Sequence, residues 1–394
     1  MIRVAMSNPE NLYKKCVIYL FPALAFMLAL FAQETSKAAR DAIYLCLDVV
    51  IPSLFPFFVL SRLTVPYLRS FSCPKLLRRL VQGLIGLPYY VLPTIVLGYL
   101  SGYPTGAKLA RDMLDERLLD SNQASRLIAI ANNCSPLFLI GTVGAGLFKS
   151  IRIGFILLAI HWVSGLLAAL ILNQLLRKGQ FDLKNGMMVF ESDKTERKSS
   201  LASLIPCAIE DAAILSIKVT GYIVLFAVLS ELLHRLGFFS LLGHMVSAIL
   251  PESVTESGLA GLLRGIMEIA SGSSAIALTV NMPVIVKLSL VSFICGFAGF
   301  SVHTQVMGIM KGSGVRYGVF FLGKLLHGIV ACILTFTVLS RLPVSLAASS
   351  MKSMSAGIPS YFRIFTITAL IIALLINPYK NGGTIRHFNN SAKQ

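Results

Sequence analysis

Ser101-Gly102-Tyr103-Pro104-Thr105-Gly106 interrupts one long apolar stretch, and Ser271-Gly272-Ser273-Ser274 interrupts another 170 residues further on. Glycine and proline break helices, so a small polar tip inside an apolar segment reads as a helical hairpin that turns back at depth. The match continues outside the tips. Val59-Leu60-Ser61 aligns with Val228-Leu229-Ser230 at a spacing of 169, and Asn133 and Ser135 align with His303 and Gln305 at 170. Val-Leu-Ser recurs at Val338-Leu339-Ser340, so the argument rests on order and spacing rather than on identity. Collinear matches predict an internal duplication, and paired interrupted segments in two halves point to a transporter's binding site.

Composition names the solvent. Of 394 residues, 55% are hydrophobic and only 13% charged, and the mean hydropathy is +0.75. That leaves too few polar groups to coat water-facing domains. Apolar runs near 17–32, 42–61, 127–148, 153–176, 212–233, 288–310, 317–340 and 361–376 approach the roughly 20 residues of a spanning helix. The expectation is an all-α polytopic membrane protein with eight transmembrane helices and two re-entrant helical hairpins, 83–118 and 257–281.

The net charge of +17 raises nucleic acid as a partner, and its distribution answers that. With eight crossings and the N-terminus in the cytoplasm, 23 of the 35 Lys and Arg fall inside and eight outside, the other four lying in or near spans. This is the positive-inside pattern, so the basicity encodes orientation, with both termini cytoplasmic. No soluble basic face with interleaved aromatics is present, which excludes nucleic acid. Three crossings separate the starts of the two units, near 42 and 208, so the units enter the membrane from opposite sides as an inverted repeat.

The boundaries follow. Residues 1–38 form an N-terminal anchor, retained because no clean A-x-A site precedes Gln33. Repeat one covers 39–178, a charged cytoplasmic linker 179–207, the inverted repeat two 208–345, and a last span with a polar tail 346–394. Lys75-Leu76-Leu77-Arg78-Arg79-Leu80 and the stretch from Phe238 to Leu250 read as interfacial helices. The seven cysteines are scattered without a CxxC pair and read as small core residues.

Chemistry concentrates at the tips. Ser101, Gly102, Thr105 and Gly106 surround a helix start near Ala107, where unpaired N–H groups and partial positive charge form an anion site. Lys108 would add a full charge, or else it snorkels to the cytoplasmic surface. The ending Gly-Ala-Lys-Leu is not a Walker A loop. At the second tip, with Ser271, Gly272, Ser273 and Ser274, Glu268 either carries a coupling proton or forms an i, i+4 ion pair with Arg264. Opposite the tips stand Asn132, Asn133 and Ser135, and Ser301, His303 and Gln305. His303 titrates near neutral pH or simply packs. Asp48, inside an apolar run, is a second candidate for ion coupling; Lys218 and Lys324 are guesses for its partner. No triad, HExxH or metal-ligand cluster stands at usable spacing, so no enzyme activity, metal or cofactor is expected.

Three phrases carry a resemblance: Ile51-Pro52-Ser53-Leu54-Phe55-Pro56-Phe57-Phe58-Val59-Leu60-Ser61, Ser101 to Lys108, and Phe300-Ser301-Val302-His303-Thr304-Gln305-Val306. They resemble the sporulation integral membrane protein YlbJ family, also called SpoVV, over roughly residues 40–340. The resemblance implies a Gate-domain fold like that of concentrative nucleoside transporters, and movement of dipicolinic acid across the outer forespore membrane. It supplies no ligand contacts; the site residues above come from the residues alone. Dipicolinate, a planar dianion, suits two opposed helix starts and one lysine, with amides or a histidine at its ring nitrogen. A nucleoside carrier is the rival reading. The partners expected are a small anionic solute and the lipid bilayer, and a dimer or a trimer is equally compatible with the sequence.

Overall fold

The computed structural model describes residues 9–178, 201–247 and 254–341. Most of the charged linker and the last expected span with its tail lie outside the described residues. Every regular element among the described residues is helical. Helices α1 (Pro9–Leu30) and α2 (Ala32–Leu45) meet at Phe31, and a wide π turn at Cys46–Val50 joins α2 to α3 (Ile51–Thr64). A short α4 (Lys75–Leu80) precedes α5 (Leu92–Ser101) and α6 (Thr105–Asp115). Next come α7 (Ser121–Ala131), a wide helical segment Phe138–Leu147, and the long α8 (Ile151–Lys178). The later part holds α9 (Leu201–Arg235), α10 (Phe238–Ser247), α11 (Glu256–Met267), α12 (Ile269–Leu278), α13 (Val284–Phe297), α14 (Gly299–Ile309) and α15 (Tyr317–Leu339).

The same order of elements occurs twice: a long helix, a short one, a hairpin, a broken helix and a closing helix. The register of this recurrence differs from the spacing read in the sequence. Ser101 and Met267, which end the first hairpin arms, are 166 residues apart, as are the helix-ending Asn132 and Ala298, and the helix-starting Ile151 and Tyr317. Asn132 therefore corresponds to Ala298, and His303 falls inside α14 instead of at the break.

Five helical stretches among the described residues are long and apolar enough to cross a membrane: Ala32–Ser70, Ile151–Arg177, Leu204–Arg235, Val284–Ile309 and Tyr317–Leu339. A sixth arises if Lys75–Ile85 and Tyr89–Ser101, bent by 91°, count as one. Eight were expected, and local chemistry accounts for part of the difference. The run 127–148 is split where Asn132–Ser135 leave helical geometry ahead of Pro136, which has no N–H to donate. The first run falls in α1, Pro9–Leu30, of which Ile18–Leu30 is an apolar stretch, and 361–376 lies outside the described residues. The boundary drawn at 38 falls inside α2.

Capping explains where the inner helices begin. At α7 the Asp120 carboxylate accepts from the N–H groups of Asn122 and Gln123, both 2.8 Å, while Gln123 accepts from Asp120 N at 3.1 Å, a reciprocal capping box. The closing helices α8 and α15 pack on each other, α13 packs on α15, and α3 packs on α9. Leu109, Leu127, Ile128, Val291, Cys295 and Phe320 belong to the continuous core between these elements.

Candidate solute site

The first hairpin turns at Gly102-Tyr103-Pro104. Gly102 has φ +102°, a left-handed conformation that side-chain-bearing residues disfavour, and a Cβ there would lie 2.6 Å from Cβ of Ser135. The second hairpin turns at one residue, Glu268, in extended conformation between α11 and α12. This moves the second tip from the position expected: Ser271, Gly272, Ser273 and Ser274 are all within α12. Gly272 serves close approach, since a Cβ on it would sit 2.0 Å from the Cα of Gly265 on the opposite arm.

Both helix starts are already occupied by the chain's own acceptors. Glu268 takes the N–H groups of Ala270 (2.9 Å) and Ser271 (2.7 Å) on its carboxylate. Asn132 Oδ1 accepts from Ala107 N at 3.0 Å at the start of α6. The expected pair of Glu268 with Arg264 does not form. The helix ends at Met267, so the i, i+4 register is lost, and Arg264 donates instead to Glu231 of α9 at 2.6 Å.

A cavity of about 90 Å³ lies between the two turns. Gly102 and Tyr103 border it from the first hairpin, and Glu268, Ile269 and Ala270 from the second. Ser135 and Phe138 come from the break after α7, Ser301 and Gln305 from α14. Leu45, Val50, Leu54, Val219 and Ile223, with Ser53, complete the lining from α2, the wide turn after it, α3 and α9. Ser135, Ser301, Gln305 and Glu268 thus place polar groups in a lining that is otherwise mostly apolar. Among the charged candidates only Glu268 reaches the lining.

The remaining candidates stand elsewhere. Ser101, Thr105 and Gly106 are buried behind the first turn. Lys108 binds Asp112 at 2.6 Å and lies 3.9 Å from Asp211, with Arg62 completing a four-charge network across α3, α6 and α9. It neither snorkels freely nor lines the cavity. Asn132 and Asn133 are fully buried at the helix break and donate to carbonyls of their own helix, Ile128 at 2.8 Å and Ile130 at 2.9 Å. His303 spans Phe297 O (2.9 Å) and Tyr317 Oη (3.1 Å) within an aromatic cluster, so it packs and caps the α13–α14 break. Asp48 is exposed, and neither Lys218 nor Lys324 forms an ion pair with it.

A group the sequence reading offered only as a guess for the partner of Asp48 sits under the first turn. Lys324 of α15 is fully buried, donates to Asn132 O at 2.6 Å, contacts His327 Nδ1 at 3.1 Å and lies 5.2 Å from the Tyr103 ring centroid. The signal available was an ionisable residue inside an apolar run, three positions before a histidine.

The sporulation integral membrane protein YlbJ of Bacillus subtilis (strain 168) is 28% identical to this chain over 313 residues, covering 76% of each. This supports assignment to the YlbJ family. With the apolar helices, this likeness to a sporulation integral membrane protein supports an integral membrane protein here too. No protein-family model matches the chain, and no solved structure matches it.

Proposed function

We propose that the protein is a transporter that carries a small polar solute through the cavity between its two hairpin turns. The observation that carries this reading is the convergence of Gly102 and Tyr103 with Glu268 and Ala270 on one cavity, beside the polar Ser135, Ser301 and Gln305. Broken helices that border a shared cavity are how membrane carriers expose backbone polar groups at depth. In this reading the two runs of elements are inverted across the membrane, both termini are cytoplasmic, and rocking of one run against the other gives alternating access. The cavity's 90 Å³ is about three waters' worth and well below the roughly 300 Å³ of an ordinary ligand pocket, so solute entry requires opening. A role as carrier needs no reactive group, and the protein is not an enzyme in this reading.

For the solute, the resemblance to the YlbJ family implies dipicolinate, moved across the outer forespore membrane. The apolar side chains of the lining suit the flat faces of its ring, and the Ser and Gln side chains can donate to its carboxylates. Lys108 has no part in this, being held by Asp112. Glu268 sets the terms of entry, because its carboxylate repels a dianion. The same carboxylate favours a second reading, a nucleoside whose hydroxyls donate to Glu268.

Proteoliposomes loaded with the protein, given labelled dipicolinate or labelled uridine, test both. Saturable dipicolinate uptake that drops several-fold in Gln305→Leu and Ser135→Ala is the expected result. Uptake of neither solute above empty vesicles would sink the transporter reading.

A further inference from the structure

Outside the cavity, the most demanding chemistry is the cluster around Lys324. Its Nζ is fully buried, and among the described residues it has no carboxylate within ion-pair distance. What surrounds it are neutral acceptors, rings and the thiol of Cys134, which lies within electrostatic reach. Asn132 O, the carbonyl at the break after α7, accepts at 2.6 Å. His327 Nε2 faces the carbonyl of His161 at 3.0 Å and must therefore carry a proton, which leaves Nδ1 as the acceptor for Lys324 at 3.1 Å. His161 Nε2 accepts from Cys134 N at 3.0 Å, so its proton is on Nδ1, which has no partner. With Lys324 as an ammonium, these hydrogen bonds are met by two neutral histidines, and the positive charge of the cluster sits on Lys324.

Two of the three ammonium N–H bonds have lone pairs to meet. The third has the face of Tyr103, the residue at the turn of the first hairpin, at cation–π distance. Tyr103 is itself fastened to the other half of the chain, because its hydroxyl donates to Cys295 O at 2.7 Å. From α14, His303 lies within electrostatic reach of Lys324, but both its nitrogens are engaged. Tyr99, whose hydroxyl is buried and faces Asn133, borders the same cluster next to Gly165 and His327. Asn132 and His327 are satisfied equally by an ammonium or by a neutral amine. Only the Tyr103 contact distinguishes the two.

We propose that Lys324 is the proton-binding site of this transporter, holding a proton while Tyr103 covers it and exchanging that proton when the first hairpin moves. The step is a simple transfer. As Tyr103 withdraws, water reaches Nζ and the proton exchanges with it. One Nζ–H bond breaks with its electron pair staying on nitrogen while the water takes the proton, and the reverse transfer from the opposite side restores the ammonium, which hydration favours. The inference rests on the transporter reading and deepens it by naming the coupling ion as a proton.

The test uses the full chain in vesicles containing a pH-sensitive dye, with labelled dipicolinate outside and an imposed pH gradient. In the unmodified protein, solute accumulation and a change in internal pH are expected together. Lys324→Arg keeps the charge but holds a guanidinium that does not release its proton; gradient-driven accumulation is expected to fall at least tenfold. Accumulation at the unmodified level by Lys324→Arg would overturn the proposal, as would solute uptake by the unmodified protein with no proton movement, which leaves the transporter reading intact. No uptake at all removes both. A second readout does not need transport. Trp162, the chain's single tryptophan, adjoins His161 and lies 6.5 Å from the Tyr99 ring. Its emission is expected to titrate with pH in the unmodified protein and to lose that titration in Lys324→Arg; a flat profile in the former, or an unchanged one in the latter, overturns the assignment.

Discussion

His161 and His327 lie ring against ring with 4.4 Å between centroids, and each stands ten residues after the first residue of its helix, Ile151 or Tyr317. The two closing helices therefore meet at equivalent positions. The pair also supports the break after α7, because His161 is the acceptor for Cys134 N. His161→Phe keeps a ring for the stack but leaves a buried N–H without an acceptor, at a cost of about 1–3 kcal/mol. Thermal unfolding in detergent checks this; an unchanged midpoint would show that water or a shifted backbone replaces the imidazole.

Two helical glycines separate packing from propensity. Gly272 faces the Cα of Gly265 so closely that a methyl group cannot fit without parting the hairpin arms. Gly221 in α9 has no neighbouring atom within 4 Å of an added Cβ. Gly272→Ala is expected to destabilise by about 1–3 kcal/mol through overpacking. Gly221→Ala is expected to be neutral or to stabilise by up to about 1 kcal/mol. Parallel melting curves of the two variants decide the matter, and a similar response in both would remove close packing as the role of Gly272.

The contrast between these glycines explains what was legible in the sequence. Gly102 and Pro104 announced the first turn correctly because a residue with φ > 0 and a proline have few other uses inside an apolar run. Ser271-Gly272-Ser273-Ser274 carried the same composition for a different reason: small residues also let helices touch, so the turn was read three residues late. The actual break, Glu268, shows itself only through the N–H groups of Ala270 and Ser271 that it accepts. Long-range partners were beyond reach altogether. Lys324 and Asn132 are separated by 192 residues, and no local pattern links them. The all-helical character needed none of this, since it follows from composition and the length of the apolar runs.

Glu268 caps α12 and borders the cavity, so its two roles should come apart on substitution. Glu268→Ala removes the acceptor for both N–H groups and is expected to cost about 0.5–2 kcal/mol. Glu268→Gln keeps an acceptor oxygen while removing the charge. Dipicolinate uptake by Glu268→Gln is therefore expected to match or exceed that of the unmodified protein, and uridine uptake to fall. Competition of the two labelled solutes in one vesicle preparation measures the ratio; a loss of dipicolinate uptake with uridine uptake unaffected would contradict it.

Lys108 separates an ion network from an anion site. Its ammonium is 2.6 Å from Asp112, whose side chain is 4% exposed, and Arg62 is a poorer substitute at 3.8 Å. Lys108→Ala strands a buried carboxylate, and removing one partner of such a pair costs about 3–5 kcal/mol. Deleting Asp112 as well relieves that penalty, so Lys108→Ala with Asp112→Ala is expected to be more stable than Lys108→Ala alone. Because Lys108 does not border the cavity, the double variant should keep the unmodified protein's KM for dipicolinate within about twofold. A KM raised tenfold or more, with folding intact by melting curve, would return Lys108 to the solute site and require the first hairpin to open toward it during transport.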